Sequence, residues 1–209
     1  MSRSFAQLAF TPGVKSQQQK HGSRNLYDRL ERPDLGGVTS DWLGLDEREF
    51  IAARDGFYMA SVGETGWPYI QFRGGPKGFL QVLDERTIGF ADLRGNRQYI
   101  STGNLLNDNR VALFLMDYPT QSRLKILGRA EIREYDEAAR ELIEKLSVPD
   151  EKTPAERAVL IHVEGYDWNC QQHITPRYTE EELIELLGPM RRRIELLEQE
   201  NERLRAQQR

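Results

Sequence analysis

Cysteine and histidine are nearly missing from this chain, which has one cysteine, Cys170, and three histidines in 209 residues. A lone cysteine excludes an internal disulfide framework. Three histidines scattered at His21, His162 and His173 exclude a soft-metal cluster, so no metal is expected. Long apolar runs are missing too. The longest, such as VALFLM at 111–116, fall far short of the ~20 residues that span a bilayer, and no membrane partner is expected. The opening MSRSFAQLAFTPG has no sustained apolar segment and no small-residue cleavage site, so the expected location is the cytoplasm. Charge of one sign is not in excess either: 29 Lys and Arg against 33 Asp and Glu leave a net −4. That balance gives no reason to expect nucleic acid as a partner. Catalytic signatures are equally scarce, with no G-x-S-x-G, Walker loop, H-E-x-x-H or paired C-x-x-C.

What is present is a chain with 38% hydrophobic residues, enough for one core, and 30% charged residues for its flanks. Residues 1–45 are polar and broken by glycine and proline, and read as an arm of short helices lying on the body or on a partner subunit. From Asp46, DEREFIAARD has acidic residues early and an apolar face of Phe50, Ile51 and Ala53, which predicts a short helix. Then GFYMASV, WPYIQFRG, GFLQVLD, TIGFAD, RVALFLMD and SRLKILGRAEIRE follow one another. They are short, rich in β-branched and aromatic residues, and bounded by turn signals such as GETGW and DERT. RAVLIHVEGYDW makes a seventh run, after a helix near DEAARELIEKL. Such spacing predicts a mainly β (α+β) fold: a six- to seven-stranded antiparallel barrel over 46–178 with small helices inserted. The tail, 179–209, is helical in composition, and Gly188-Pro189 should end one helix and begin another. Leu187, Met190, Ile194, Leu197, Asn201 and Leu204 alternate at spacings of three and four, an a/d seam with Asn201 at an a position. The seam suits either paired helices or an amphipathic helix packed on its own domain.

Two clusters can carry chemistry. QFRGGPKG, Gln71 to Gly78, ends the second strand with glycines and cations that let backbone approach a ligand. In ADLRGNRQYI, Ala91 to Ile100, a strand ends and a helix begins, with Asn96 as the expected N-cap. Arg94 and Arg97 flank that turn, where the N–H groups of a helix start would favour a phosphate. Phosphate-binding groups without a nucleophile or metal suggest a cofactor that brings its own chemistry.

These residues carry a resemblance. The segments GWPYIQFRGGP, IGFADLRGNRQYISTGNLLNDNRVALFLMD and LKILGRAEI resemble the FMN-binding split barrels of the pyridoxamine 5'-phosphate oxidase family, from about Phe50 to Arg177. The match is nearest a branch of oxidase-like proteins carrying RGGP and NCxQHI segments. The resemblance implies a homodimer holding FMN at the subunit interface. It places Arg97 at the phosphate, with Asn96 and Gln98 beside it, and Ala91 and Asp92 at a strand end passing the flavin. Gln71, Phe72, Arg73 and Gly74 lie along the ribityl chain and ring. Arg123 reaches the site from a neighbouring strand or the other subunit, Trp168 stands near the isoalloxazine, and Arg177 follows. Two departures lose charge: Gln98 stands where a lysine is common, and Gln71 where an arginine is common, with Arg73 or Lys77 to compensate. The vitamin-substrate contacts of true pyridoxamine phosphate oxidases are not recognisable near CQQHITPR, so the expected substrate lies outside the pyridoxine pathway. The expected function is an FMN-dependent oxidoreductase of unknown substrate, with NADH or NADPH as a candidate donor. The alternatives are a non-catalytic module for flavin, deazaflavin or haem, and a regulatory dimer that uses the C-terminal helix.

One motif invites a different reading. In DWNCQQHITPR, Cys170 and His173 look like a nucleophile and its base. A dyad needs a third group and facing side chains, which three residues of loop do not supply. Under the resemblance, Asn169, Gln172 and His173 become polar contacts to flavin or substrate, and Cys170 a packed neighbour.

Overall fold

The computed structural model describes residues 1–31, 41–148, 153–168 and 172–207. Seven strands form one antiparallel sheet: β1 (Gly56–Val62), β2 (Pro68–Gly74), β3 (Gln81–Val82), β4 (Thr87–Leu93), β5 (Arg110–Asp117), β6 (Ser122–Glu134) and β7 (Ala155–Trp168). Their order is β2-β1-β5-β6-β7-β4-β3, a curled sheet that does not close, as expected for a split barrel. Seven helices accompany it among the described residues. They are α1 (Arg3–Ala9), α2 (Pro12–Lys20), α3 (Arg24–Glu31), α4 (Leu45–Ala52), α5 (Ile100–Asn107), α6 (Arg140–Leu146) and α7 (Glu180–Gln207).

Alternation along the strands decides which face is core. Phe57, Met59 and Ser61 of β1 are buried, and their register partners Leu115 and Leu113 on β5 are buried with them. The chain continues this inner face through Leu124, Ile126 and Ala130 of β6. Opposite Leu127 and Gly128 strand β7 carries one extra residue, Glu164, a β-bulge that bends β7 against β6; a Cβ on Gly128 would stand 2.6 Å from the His162 carbonyl oxygen. The short loops fit their hairpins, with the Gly63 N–H donating to the Trp67 carbonyl and the Leu83 N–H to Thr87.

The third expected strand shrinks to two residues. Phe79 and Leu80 are buried as a loop: the Phe79 ring stacks on Phe57 at 5.8 Å and meets Phe90 edge-on at 6.5 Å. Apolar character there anchors a loop rather than extending a ladder. The first helix of the N-terminal arm, α1, lies on its own barrel. Ser2 caps α1, its N–H donates to the Tyr166 carbonyl at 2.7 Å, and its Oγ accepts from the Tyr166 N–H at 3.0 Å. Phe5 and Ala6 are buried against β7, where Gly165 leaves room for the Phe5 backbone.

The chain separates into two compact units, one of residues 1–117 and 122–171, the other of 118–121 and 172–209. In the second, Gln121 donates to the Ile174 carbonyl and the Arg177 guanidinium stands 5.0 Å from the Tyr118 ring. The helix expected to break at Gly188-Pro189 does not: α7 runs through Pro189. The missing proline N–H costs one hydrogen bond, and the flanking turns carry the helix past it.

Candidate cofactor-binding site

The open side of the barrel, between edge strand β2 and strand β4, holds two adjoining cavities of about 180 and 240 Å³. They share Gln71, Arg73, Asp92, Leu93 and Gly95. Strand β2 turns Tyr69, Gln71 and Arg73 to one side and leaves Ile70 and Phe72 exposed on the other. The smaller cavity is polar and ends at Asn96, Arg97, Gln98 and the first turn of α5. The larger is walled by Phe72, Pro76, Phe79 and Phe90, and extends past Gly74 and Ala91. Here Gly75 is required, because a Cβ would lie 2.7 Å from the Phe79 ring.

Charge organises the floor. Asp92 is buried, with Oδ1 2.9 Å from Arg73 Nη1 and Oδ2 3.1 Å from Arg157 Nη1. Arg157 also binds Glu134 at 3.1 Å and Glu156 at 3.2 Å. Burial alone would lower its pKa, but its hydrogen bonds to Asp92 and Glu134 outweigh that and hold it above the ordinary guanidinium value. Ser101 Oγ donates to Gln71 Oε1 at 2.8 Å, tying β2 to α5. Two cationic groups of this site are left without a partner among the described residues. Arg73 Nε is buried and has no partner among the described residues. Arg97 makes no ion pair among the described residues and its side chain is exposed.

The loop into α5 departs from the expected geometry. Asn96 is not the N-cap: its Oδ1 accepts from the Gln98 N–H at 3.1 Å, and α5 begins only at Ile100. Tyr99 occupies the cap position at φ 53°, with no side-chain hydrogen bond to the helix, and Arg97 has φ 63°. Both lie in the left-handed region that non-glycine residues rarely adopt, a local strain that the surroundings must hold. Contacts to β7 do so: Tyr99 Oη lies 3.4 Å from Glu156, and the Arg157 guanidinium stands 5.2 Å from the Tyr99 ring. The result is an α5 start whose first N–H groups have no side-chain cap, beside exposed Arg97 and half-exposed Arg94.

The expected site residues Gln71, Phe72, Arg73, Gly74, Ala91, Asp92, Asn96, Arg97 and Gln98 therefore meet in this cleft. Lys77 is not among the lining residues, whereas Arg73 is in both cavities. Two expected residues stand elsewhere in the first compact unit. Arg123, on the outer face of β6, lies 5.8 Å from the Phe114 ring, and its buried Nε has no partner among the described residues. Trp168 packs edge-on against Phe50 at 4.7 Å and donates Nε1 to Glu47 Oε1 at 2.6 Å. Arg177 belongs to the second compact unit. Asn169 and Cys170 lie outside the described residues, while Gln172 and His173 are exposed. The sequence reading gave no role to Tyr99 and Ser101, although they lie in the segment it singled out, and missed Glu156 and Arg157, which no motif marks; Arg157 reaches Asp92 only because β7 pairs with β4 in that register.

A family model described as Pyridoxamine 5'-phosphate oxidase matches residues 46–166, more than half of the chain and all seven strands but the end of β7. The chain belongs to the pyridoxamine 5'-phosphate oxidase family. That family is one of flavin-binding, oxidoreductase-like proteins. Solved structures similar to this family member include HupZ of Group A Streptococcus, 17% identical, covering 64% of this chain and 98% of that one at a TM-score of 0.48. A pyridoxamine 5'-phosphate oxidase candidate of Lactobacillus delbrueckii is 20% identical over 62% of this chain and 97% of that one, TM-score 0.48. An FMN-binding protein of Syntrophomonas wolfei is 13% identical over 76% and 95%, TM-score 0.44. No curated protein matches this family member.

The cleft residues fit a flavin phosphate. An orphaned, buried Arg73 Nε needs an acceptor, and an uncapped helix start beside the exposed Arg97 suits an anion. Carboxylates in the cleft do not oppose this, because Asp92 and Glu156 are already paired with arginines.

Proposed function

We propose that this cleft binds FMN within a homodimer and that the protein is a flavin-dependent oxidoreductase. The observation that carries the proposal is the cation-rich turn at Arg97 and the α5 start, continuous with an aromatic-walled cavity that holds the unsatisfied Arg73 Nε. Arg97 and the N–H groups of the first turn of α5 would hold the phosphate. Gln71, Arg73 and the backbone from Gly74 to Gly75 would line the ribityl chain and ring, and Phe72, Pro76 and Phe79 would exclude water. Bound FMN supplies reversible hydride chemistry, and the chain supplies orientation and shielding.

The second copy is supported by the surface. The outer face of β2, β1, β5 and β6 presents Tyr58, Ala60, Ile70, Ala112, Phe114 and Leu127 around an apolar groove of about 500 Å³. A monomer seldom leaves so continuous an apolar face open. Arg123 lies on this outer face beside Phe114 and would then stand toward the second copy.

An absorbance spectrum of the purified protein, before and after added FMN, tests binding. A colourless protein whose spectrum with FMN equals the sum of the parts ends the proposal. Bleaching of the bound flavin by NADH or NADPH, reversed by air, is the expected sign of turnover. Flavin that stays bound and resists both donors would leave a binding module instead.

A further inference from the structure

Helix α7 carries an exposed apolar seam. None of its residues is buried, and Leu187, Met190, Ile194, Leu197 and Leu204 stand 44–63% exposed. With Leu183 the seam runs d-a-d-a-d-a-d: Leu183, Leu187, Met190, Ile194, Leu197, Asn201 and Leu204. The spacing is unbroken across Pro189, which falls at a c position away from the seam. We infer that α7 pairs with α7 of a second copy of this chain as a parallel, in-register, two-stranded coiled coil.

The seam itself selects two strands. Ile194 is β-branched at an a position while Leu183, Leu197 and Leu204 occupy d positions, the arrangement that favours parallel dimers. Asn201 at a is costly opposite an apolar residue and satisfied opposite its own copy, so it fixes both strand number and register.

Charge complementarity and Asn201 together supply the orientation. In a parallel pair each g residue faces the e residue five positions on in the other helix. Arg193 at g then meets Glu198 at e of the second copy, and Glu200 meets Arg205, so both pairs attract on both sides of the seam. An antiparallel pair sets e against e and g against g: centred on Glu198 it opposes Glu198 to itself and Arg191 to Arg205. One heptad away it brings Arg191 to Glu198 and Arg193 to Glu200, but every antiparallel register sets Asn201 against an apolar d residue, Met190 in this one. Within one helix these groups are little engaged; Glu200 touches only Arg203, at 3.7 Å, with both side chains more than half exposed.

Three heptads are short for a coiled coil on its own. Pairing of the barrels, as proposed above, would hold the two helices at high local concentration, and to that extent the inference rests on that reading. Single-cysteine cross-linking tests it in the full chain, in a Cys170→Ser background. L204C, at a d position, should convert to a covalent dimer under mild oxidation, whereas E202C, on the outer side of the helix, should not. R193E turns attraction into repulsion on both sides and should slow L204C cross-linking roughly tenfold. Adding E198R should restore the rate. Equal cross-linking of L204C and E202C overturns the inference, as does indifference to R193E or failure of E198R to rescue. Sedimentation of the same samples separates the two readings. A dimer in which L204C fails to cross-link sinks the coiled coil alone, and a monomer that does not cross-link sinks the barrel pairing with it.

Discussion

Arg73 reaches from the edge strand β2 to the Asp92 carboxylate on β4, 2.9 Å from Nη1 to Oδ1, although these strands stand first and sixth in the sheet. The ion pair is therefore a clasp across the open side of the barrel rather than a contact between neighbouring strands. Arg157 holds the other oxygen, so the same carboxylate also fixes β7 beneath the cleft. Removing it would leave Arg157, only 7% exposed, short of a counter-charge. Asp92→Ala should cost about 3–5 kcal/mol of stability, the range for breaking a buried ion pair from one side. Urea unfolding checks this. A loss below about 0.5 kcal/mol, the scale of an ordinary surface change, would show that the clasp contributes nothing to the fold.

Arg97 should behave in the opposite way. It is exposed and makes no ion pair among the described residues, so Arg97→Ala leaves urea unfolding of the flavin-free protein nearly unchanged. FMN affinity should fall by about 1.5–3 kcal/mol, the range for a hydrogen bond to a charged group. Titration followed by flavin fluorescence measures it, and riboflavin, which lacks the phosphate, should bind wild type and variant alike. Equal loss for both ligands would place Arg97 away from the phosphate.

The difference between these arginines shows what could be read in advance. Strands β1, β5 and β6 have the boundaries their alternation predicts, because one face of each is core and the period of two is undisturbed. The Arg97 turn was legible for the same local reason, since glycine and arginine between a strand and a helix are neighbours in sequence. Asn96 misled because an Asx turn to Gln98 and an N-cap use the same side chain and differ only in the backbone that follows. That backbone is set by Tyr99 and its contacts to Glu156 and Arg157, more than fifty residues away in sequence. Arg157 was invisible because its role depends on strand register between β4 and β7, which no local pattern states.

Tyr166 gives the protein an alkaline limit. Burial, with the nearby charges of Glu47 and Asp41, pushes its phenol from 10.0 up to about 12. Tyrosinate is the disfavoured form in the fold, so the stability Tyr166 contributes is whole below pH about 10 and is lost as pH rises towards 12. Tyr166→Phe should flatten the fall in stability across that window, at the cost of the hydrogen bond to the Trp42 carbonyl. Tyrosinate absorbance should show one residue titrating late in the wild type and absent from the variant. An unchanged late fraction would assign it to another tyrosine.

Ile70 tests the exposed sheet face without touching the core. It is 62% exposed, and Tyr69 and Gln71 on either side point to the opposite face. Ile70→Glu should therefore fold, with unfolding at high dilution close to wild type. In a dimer the new carboxylates would be buried in an apolar groove, a cost that raises the dissociation constant by at least tenfold if each desolvation costs only about 1 kcal/mol. Sedimentation at decreasing concentration reads this directly. Flavin should leave together with the partner, because half a site remains on each copy. A variant that stays dimeric and yellow would move the interface to another surface. One that becomes monomeric and keeps its flavin would make the single-copy cleft sufficient.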